Sequence, residues 1–214
     1  MNRKRVGILI FNDVEVLDFC GPFEVFSSAR LNESARRQEP SPFEVVLVAE
    51  TPDPVTTAGG MEVRPMASFA TCGPLDLLLV PGGQGTRREM LNEGVLRFVR
   101  EQAAGAELVA SVCTGAFILG KAGLLRGLAA TTHWRSLDLL RELCPDTRVD
   151  EASHVVDEGR IMTSAGIAAG IDLALRIVQR YGGEAVARAT ARHMEYPFPE
   201  NNLRRVELRA GAGQ

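Results

Sequence analysis

The stretch "ELVASVCTGAF", residues 107 to 117, joins a short apolar run to a helix-like run through a single cysteine, Cys113. The run Glu107–Val112 predicts a buried strand, and a helix is expected to start near Thr114. Ser111 and Gly115 lie two positions before and after the cysteine. Small residues are needed there in a tight strand-to-helix turn, because neighbouring backbone crowds the nucleophile. The stretch therefore predicts a nucleophile elbow.

The thiol in this elbow has two interpretations. At a helix N-terminus the positive end of the dipole and unpaired N–H groups would lower the pKa of Cys113 from about 8.5 toward neutrality. Cysteine is also among the residue types that are most often buried, so Cys113 is equally explained as a small apolar residue in the core. Position alone leaves both interpretations open.

Further apolar runs rich in valine, isoleucine and leucine surround the elbow. They are continuous rather than alternating, which indicates a sheet covered on both faces. The pattern predicts an α/β fold with a doubly wound, mostly parallel sheet of the flavodoxin-like kind, flanked by helices. The runs are Arg5–Phe11, Phe43–Ala49 and Leu75–Val80.

Helices are predicted between and after these runs. Pro22 suits the first position of a helix, and Gly182-Gly183 suits a helix end followed by a turn. The predicted helices are Gly21–Arg30, Thr86–Ala104, Thr114–Ala122, His133–Leu143, Gly166–Tyr181 and Glu184–His193.

Length and composition limit the classes of function. With 214 residues, 45% of them hydrophobic, one domain over residues 1–208 is expected, with a short tail over 209–214. The net charge of −3 provides no large positive field, so nucleic acid is not an expected partner. The first apolar run is too short for a secretory or membrane-spanning segment. Four widely spaced cysteines without a C-x-x-C pair predict reduced thiols in the cytoplasm and no metal site.

The segment "FNDVEVLDFCGP", residues 11 to 22, follows the first predicted strand. Ligands of doubly wound sheets bind outside the carboxyl ends of the strands, which is where this segment lies. Asp18 and Glu15 stand among apolar residues, and burial beside a thiolate would raise a carboxyl pKa and let it act as an acid. The alternative is that Asp18 caps the following helix and that Glu15 is solvated.

The segment "LLLVPGGQGTRREM", residues 77 to 90, ends a buried strand in two glycines. The N–H groups of Gly82 and Gly83 are free to point at a developing negative charge, although glycine after a strand is also an ordinary turn. The segment lacks the Gly-Lys-Ser/Thr ending of a phosphate-binding loop.

Three histidines are available as partners for the thiol. His133 follows a predicted strand and is a candidate partner for the thiol, and the alternative is a purely structural role. His193 is expected to be exposed. No metal-ligand spacing links these two residues with His154.

Taken together, these segments resemble the ThiJ/PfpI superfamily, which shares its core with class I glutamine amidotransferases. The resemblance runs from residue 5 to about residue 196. The blocks that carry it occur in order and are "GILIFNDVEVLDFCGPFEVF", "LLLVPGG", "ASVCTGAFILGKAGLLRGLAATTHW" and "TSAGIAAGIDLALRIV".

Within the superfamily the chain is most similar to the isonitrile hydratase branch and to the ligand-like domain of certain AraC-type regulators. The resemblance implies that Cys113 is a nucleophile, that Asp18 is an acid contacting its sulfur, that no cofactor is required and that the protein is a homodimer. Members of the peptidase branch carry histidine directly after the cysteine. Thr114 occupies that position here, which argues against protease activity.

The implied reaction is hydration of an isonitrile to an N-substituted formamide, which would make the protein a lyase acting on a small molecule. Thr114 is expected to orient Asp18 or the attacking water, and Gly83 to leave room and donors near the sulfur. Ala165 and Gly166 would let their helix approach the cysteine closely, or shift when the sulfur is modified; simple tight packing is the alternative.

Two other functions stay open. One is glyoxalase or deglycase chemistry on small dicarbonyls, which needs a base such as Glu15 or His133. The other is a binding or redox-sensing domain without turnover, because an accessible thiol of low pKa is oxidised first. A regulator would need about a hundred further residues for a helix-turn-helix region, so no direct DNA-binding role is expected.

Overall fold

A computed structural model of the protein describes residues 3–208. The predicted tail over 209–214 lies outside the described residues. In chain order the strands are β1 Lys4–Leu9, β2 Phe43–Ala49, β3 Val55–Thr56, β4 Glu62–Val63, β5 Ala67–Ser68, β6 Leu77–Val80, β7 Leu108–Val112, β8 Ala129–Ala130, β9 Arg148–Val149, β10 Val155–Asp157 and β11 Ile161–Ser164.

Seven of these strands form the main sheet, in the order β10-β11-β7-β6-β1-β2-β5. Every neighbouring pair is parallel except β10 with β11, which is antiparallel. The strand order reverses direction after β1, because β2 lies on one side of β1 and β6 on the other. The predicted doubly wound, mostly parallel sheet is therefore confirmed.

Helices cover the sheet. Glu184–His193 has the predicted bounds, and Gly183, at φ +87°, ends one helix and precedes the next as expected. The α-helices are α1 Val16–Ser28, α2 Thr86–Glu89, α3 Glu93–Gly105, α4 Gly115–Lys121, α5 Leu137–Leu143, α6 Ala169–Gly182 and α7 Glu184–His193, and short 3₁₀ helices span Glu33–Ala35 and Trp134–Ser136.

The first helix begins earlier than predicted. It starts at Val16, so Pro22 lies inside the helix rather than at its first position. A proline there removes one helical hydrogen bond, and close packing compensates for the loss. Gly21 makes this packing possible, because a Cβ at Gly21 would lie 2.9 Å from Cγ1 of Ile171 on α6.

The predicted helix Thr86–Ala104 is two helices. The side chain of Asn92 accepts hydrogen bonds from the backbone N–H groups of Gly94 and Val95, so it caps α3 and separates it from α2. The apolar periodicity continues through this stretch, so it did not show that Asn92 begins a new helix.

The register of the sheet brings four loops together. Val80 on β6 pairs with Ser111 on β7, and Ser164 on β11 pairs with Val112. The residues that follow β6, β7 and β11 therefore emerge side by side at the carboxyl edge of the sheet, next to the end of β1. This edge, beside the reversal of strand order, is where such folds bind ligands.

Buried apolar side chains of the strands and helices pack into one continuous core. Within residues 3–208, no helix has both the length and the apolar character to cross a membrane.

Candidate active site

Cys113 lies at the turn between β7 and α4, in the left-handed region at φ +55°. The backbone on both sides is held, because the N–H of Cys113 donates to the carbonyl of Ala165 at 3.2 Å and its carbonyl accepts from the hydroxyl of Thr132 at 2.7 Å. A Cβ on Gly115 would lie 2.0 Å from the carbonyl oxygen of Val80. The strained turn predicted from the small flanking residues is therefore present.

Asp18 lies in the first turn of α1 and is completely buried. Its Oδ2 accepts a hydrogen bond from the backbone N–H of Gly82 at 2.8 Å. A Cβ on Gly82 would lie 2.8 Å from both Asp18 Oδ2 and Cys113 Cβ, so only glycine lets these two side chains meet. Asp18 does not cap a helix, which removes the alternative role considered for it.

The carboxyl of Asp18 is kept protonated by its surroundings. Burial raises its pKa to about 8, and the charge of Glu15 adds to the rise. Hydrogen bonds from Gly82, from the Cys113 thiol and from the backbone N–H of Ile167 act in the opposite direction without reversing it. Asp18 Oδ1 has no nitrogen or oxygen partner among the described residues. A protonated carboxyl therefore lies against the thiol at neutral pH.

The pKa of Cys113 is raised, so the expected shift toward neutrality is wrong. The side chain is only 7% exposed, and burial disfavours the thiolate, as does the charge that Asp18 carries once its carboxyl has ionised. Hydrogen bonds from Thr114 and from the Ile167 backbone favour the thiolate but are outweighed. The resting pair is thus a thiol beside a carboxylic acid.

Gly82 and Gly83 do not direct free N–H groups at the sulfur. The N–H of Gly82 is bound to Asp18, and the N–H of Gly83 donates to the hydroxyl of Thr114 at 3.1 Å. Gly83 has φ +126°, where a Cβ would lie 2.4 Å from the carbonyl oxygen of Asp13. The two glycines therefore shape the site and hold other groups in place.

Thr114 is buried and follows the nucleophile position. Its hydroxyl contacts Gly83 and Thr86 and hydrogen bonds to the sulfur of Cys113. Within residues 3–208 no hydrogen bond joins Thr114 to Asp18. The contacts of Thr114 therefore do not support the expectation that it orients Asp18.

A cavity of about 280 Å³ opens over the sulfur. Among the predicted site residues, Cys113, Glu15, Gly83 and Thr114 line it. Behind these lining residues lie four other predicted site residues, Asp18, Gly82, Gly115 and Ala165. Side chains that sequence reasoning missed complete the lining, namely Gln84, Arg87, Arg135, Ser136 and Ile167.

The segment between β11 and α6 closes one side of the site. Ala165 is buried and binds the Cys113 backbone, and a Cβ on Gly166 would lie 2.1 Å from Cδ2 of His133. Ile167 adopts φ +56°, which is rare for a β-branched residue, and this places its N–H beside the sulfur. Small residues in "TSAG" were the only sequence signal for this approach.

The three histidines lie in different surroundings. His133 lines the cavity, and burial together with the charges of Arg135, Arg204 and Arg87 lowers its pKa. Its Nδ1 also accepts from the backbone N–H of Arg135, so the structural role considered for it is present. His193 is exposed as predicted, and His154 lies 2.9 Å from Asp172.

Comparison with known proteins gives a consistent result. Residues 4–180 match the DJ-1/PfpI family. The chain is 39% identical to isonitrile hydratase of Pseudomonas putida over 196 residues, covering 91% of this chain and 80% of the relative. A crystal structure of a THiJ/PfpI family protein from Pseudomonas syringae superposes with a TM-score of 0.82 at 33% identity, covering 94% of this chain and 79% of that one.

Transcriptional regulators are also similar. The chain is 30% identical to the HTH-type transcriptional regulator GbdR of Pseudomonas aeruginosa over 142 residues, which is 66% of this chain and 38% of the regulator. Since the family match spans most of the chain and the fold agrees with that of a solved member, the protein belongs to the DJ-1/PfpI family.

Proposed function

We propose that this protein hydrates isonitriles to N-substituted formamides. The observation that carries the proposal is a carboxylic acid of raised pKa, Asp18, hydrogen-bonded to the thiol of Cys113 beneath a small cavity. This pair matches the chemical need of an isonitrile, whose terminal carbon accepts both a nucleophile and a proton. The similarity to an enzyme named isonitrile hydratase supports the same reaction.

The first step joins sulfur and proton to the isonitrile carbon. The sulfur of Cys113 attacks the terminal carbon of R–N≡C while Asp18 donates its proton to the same carbon. The thiol proton passes to Asp18, so the carboxyl ends the step as it began. The product is a neutral thioimidate, R–N=CH–S, attached to Cys113.

The second step is hydrolysis of this thioimidate. Water adds to the carbon, nitrogen is protonated, and the C–S bond breaks to release R–NH–CHO and restore the thiol. The reaction consumes one water and no electrons, and its atoms balance without a cofactor. The hydroxyl of Thr114, hydrogen-bonded to the sulfur, stabilises the leaving thiolate.

The proposal is tested by assaying formamide formation from cyclohexyl isonitrile. Cys113→Ala is expected to reduce the rate by at least about a thousandfold, because a nucleophile that forms the covalent intermediate has no substitute. Cys20→Ala, which removes a half-buried thiol outside the cavity, serves as the matched control and should retain the rate. Substantial activity in Cys113→Ala overturns the mechanism.

The pH profile gives a second readout of the same proposal. If Asp18 is the acid, kcat/KM should be constant below pH 7 and fall as pH rises through about 8, where the carboxyl loses its proton. A rate that instead rises through pH 8 would indicate a thiolate-limited reaction without an acid.

One observation favours a second candidate, isomerisation or hydrolysis of small dicarbonyl adducts. His133 lines the same cavity, and its lowered pKa keeps the imidazole neutral and able to accept a proton. Assaying methylglyoxal beside the isonitrile separates the two reactions, since His133→Gln should abolish only the dicarbonyl reaction.

A further inference from the structure

A second cavity of about 280 Å³ adjoins the one over Cys113. His133 and Ile167 line both cavities, so these two side chains form the shared wall. For a substrate whose reacting carbon lies at the sulfur of Cys113, the second cavity is the adjacent space. The second cavity is therefore placed to hold the part of the substrate that does not react.

The charged groups of the second cavity are donors. Arg204, Arg205 and His154 line it, and none of its described lining residues carries a carboxylate. His154 is 9% exposed, and its Nδ1 has no hydrogen-bond partner among residues 3–208. A buried polar nitrogen without a partner is costly unless a bound molecule supplies one.

Arg204 makes no direct ion pair among residues 3–208, although the charges of Asp150 and Glu151 act on it from nearby. Its Nε donates to the carbonyl of Glu151 at 2.7 Å and its Nη2 to the hydroxyl of Thr131 at 2.5 Å, both neutral acceptors. Its Nη1 is buried without a partner in the described part of the chain. The guanidinium is thus fixed in position, yet it retains both charge and a free donor.

The nearby carboxylates are occupied elsewhere. Asp150 accepts hydrogen bonds from the backbone N–H groups of Ala152 and Ser153, and Asp172 lies within 2.9 Å of His154 and 2.6 Å of Arg205. Asp172 therefore offsets the charge of Arg205. Neither carboxylate lines the cavity, so the charge of Arg204 faces a space without an anion.

Arg204 lies close to the reacting residue. Its Nη2 donates to the carbonyl of Thr132 at 3.2 Å, and the hydroxyl of the same threonine donates to the carbonyl of Cys113 at 2.7 Å. One residue thus separates the guanidinium from the backbone of the elbow.

The rest of the lining is apolar. Trp134, Ile167 and Val206 contribute exposed apolar surface beside the donors. We infer that the second cavity is a carboxylate-binding subsite, and that the substrate is an isonitrile carrying a carboxylate on an apolar spacer. A planar guanidinium matches the geometry of a carboxylate. This inference rests on the proposed reaction at Cys113 and narrows its substrate class.

The charges around His133 agree with this assignment. The positive groups that lower its pKa, Arg135, Arg204 and Arg87, come from both cavities. Within the described lining only Glu15 opposes them, at the mouth over Cys113. The two adjacent cavities therefore attract an anion more strongly than a neutral molecule.

The experiment compares 4-isocyanobenzoate with its methyl ester, which removes only the charge. The wild type is expected to show the higher kcat/KM for the carboxylate. Arg204→Gln should lower the ratio of the two kcat/KM values by about tenfold to a hundredfold, through a raised KM for the carboxylate. An unchanged ratio in Arg204→Gln overturns the inference.

Two further variants make the result interpretable. Arg126→Gln removes an exposed arginine paired with Asp146 outside both cavities, and it should keep the wild-type ratio. If Arg204→Gln fails to fold, as judged by thermal unfolding, Arg204→Lys keeps the charge without the fork. The lysine variant is then expected to give a ratio between unity and that of the wild type, and a wild-type ratio contradicts recognition by the guanidinium.

Binding of the product class distinguishes failure of this inference from failure of the proposed function. In a Cys113→Ala background, 4-formamidobenzoate should bind at least about tenfold more tightly than its methyl ester by calorimetry, and Arg204→Gln should remove the difference. If no isonitrile is turned over but this difference is found, the subsite stands and the reaction is wrong. If isonitriles are turned over without any preference for the carboxylate, the proposed reaction stands and the carboxylate subsite is wrong.

Discussion

Two side chains, Cys113 and Asp18, determine the chemical character of the site. Both are buried, and burial is the largest cause of the raised pKa of each group, so the pair holds its protons at neutral pH. An isolated reactive thiolate would instead need an exposed, electropositive setting. The pair is therefore suited to a substrate that takes up sulfur and proton together, which is what the proposed reaction requires.

The raised pKa of Asp18 has a consequence for stability. In the unfolded chain the pKa of the carboxyl is near its ordinary value of 3.8, while in the folded protein it is about 8. Between these values folding takes up a proton, so the contribution of Asp18 is fully favourable at low pH and is lost as pH rises through about 8.

Asp18→Asn removes this titration with little change of shape. The free energy of unfolding of the variant relative to the wild type should increase between pH 5 and pH 8, by at most about 1.4 kcal/mol per pH unit. Urea unfolding at several pH values measures it. A difference independent of pH would mean that Asp18 ionises normally in the folded protein.

The junction of β6, β7 and α4 forms an element whose geometry depends on glycine. A side chain at Gly115 meets the backbone of Val80 on the neighbouring strand, and backbone in the centre of a sheet has little room to move. The requirement for small residues around Cys113 thus comes from the adjacent strand as much as from the turn.

Gly115→Ala is expected to destabilise the protein by about 3 kcal/mol, because the added Cβ overlaps the carbonyl oxygen of Val80. Gly105→Ala is the matched control. It lies at the end of α3 with no atom within 4 Å of the added Cβ, so its effect should be neutral or slightly stabilising. Thermal and urea unfolding of both variants measure the difference, and similar stabilities would contradict the close approach at the elbow.

Element boundaries show where local patterns suffice. Helix Glu184–His193 and strand Phe43–Ala49 agree with their predicted bounds. Two glycines precede the helix, and the strand is one apolar run that follows Pro42. Pro22 misled the prediction, since its local preference for a helix start was overridden by packing between α1 and α6. Strands β10 and β11 were not predicted, because their apolar runs are short.

Across the whole molecule, burial affects every thiol. The pKa values of Cys20, Cys72, Cys113 and Cys144 are all raised, with burial as the largest cause. The family resemblance and the elbow both point to Cys113, yet its surroundings differ from those of a peroxide-sensitive thiol. This is why a redox-sensing role is not the proposed function.

The native protein should therefore react slowly with iodoacetamide at pH 7. Intact mass is expected to show modification at Cys20 first, because that side chain is only half-buried, and four modifications after unfolding in urea. Fast, selective alkylation or peroxide oxidation of Cys113 in the native state would restore the sensing role as a candidate.

Local patterns in the chain were enough to predict the α/β class and the elbow at Cys113, because strand runs and small flanking residues are properties of neighbouring residues. They left Asp18 open between an acid and a helix cap, and only the family resemblance favoured the acid. The protonation of the Cys113 and Asp18 pair, the partners of the Gly82 and Gly83 N–H groups, and the cavity beside Arg204 depended on the folded chain. Desolvation and Coulomb interactions are set by atoms that are distant in sequence and close in space. The candidate site residues were therefore recognisable in advance, while their electrostatics became visible only where four loops meet at one edge of the sheet.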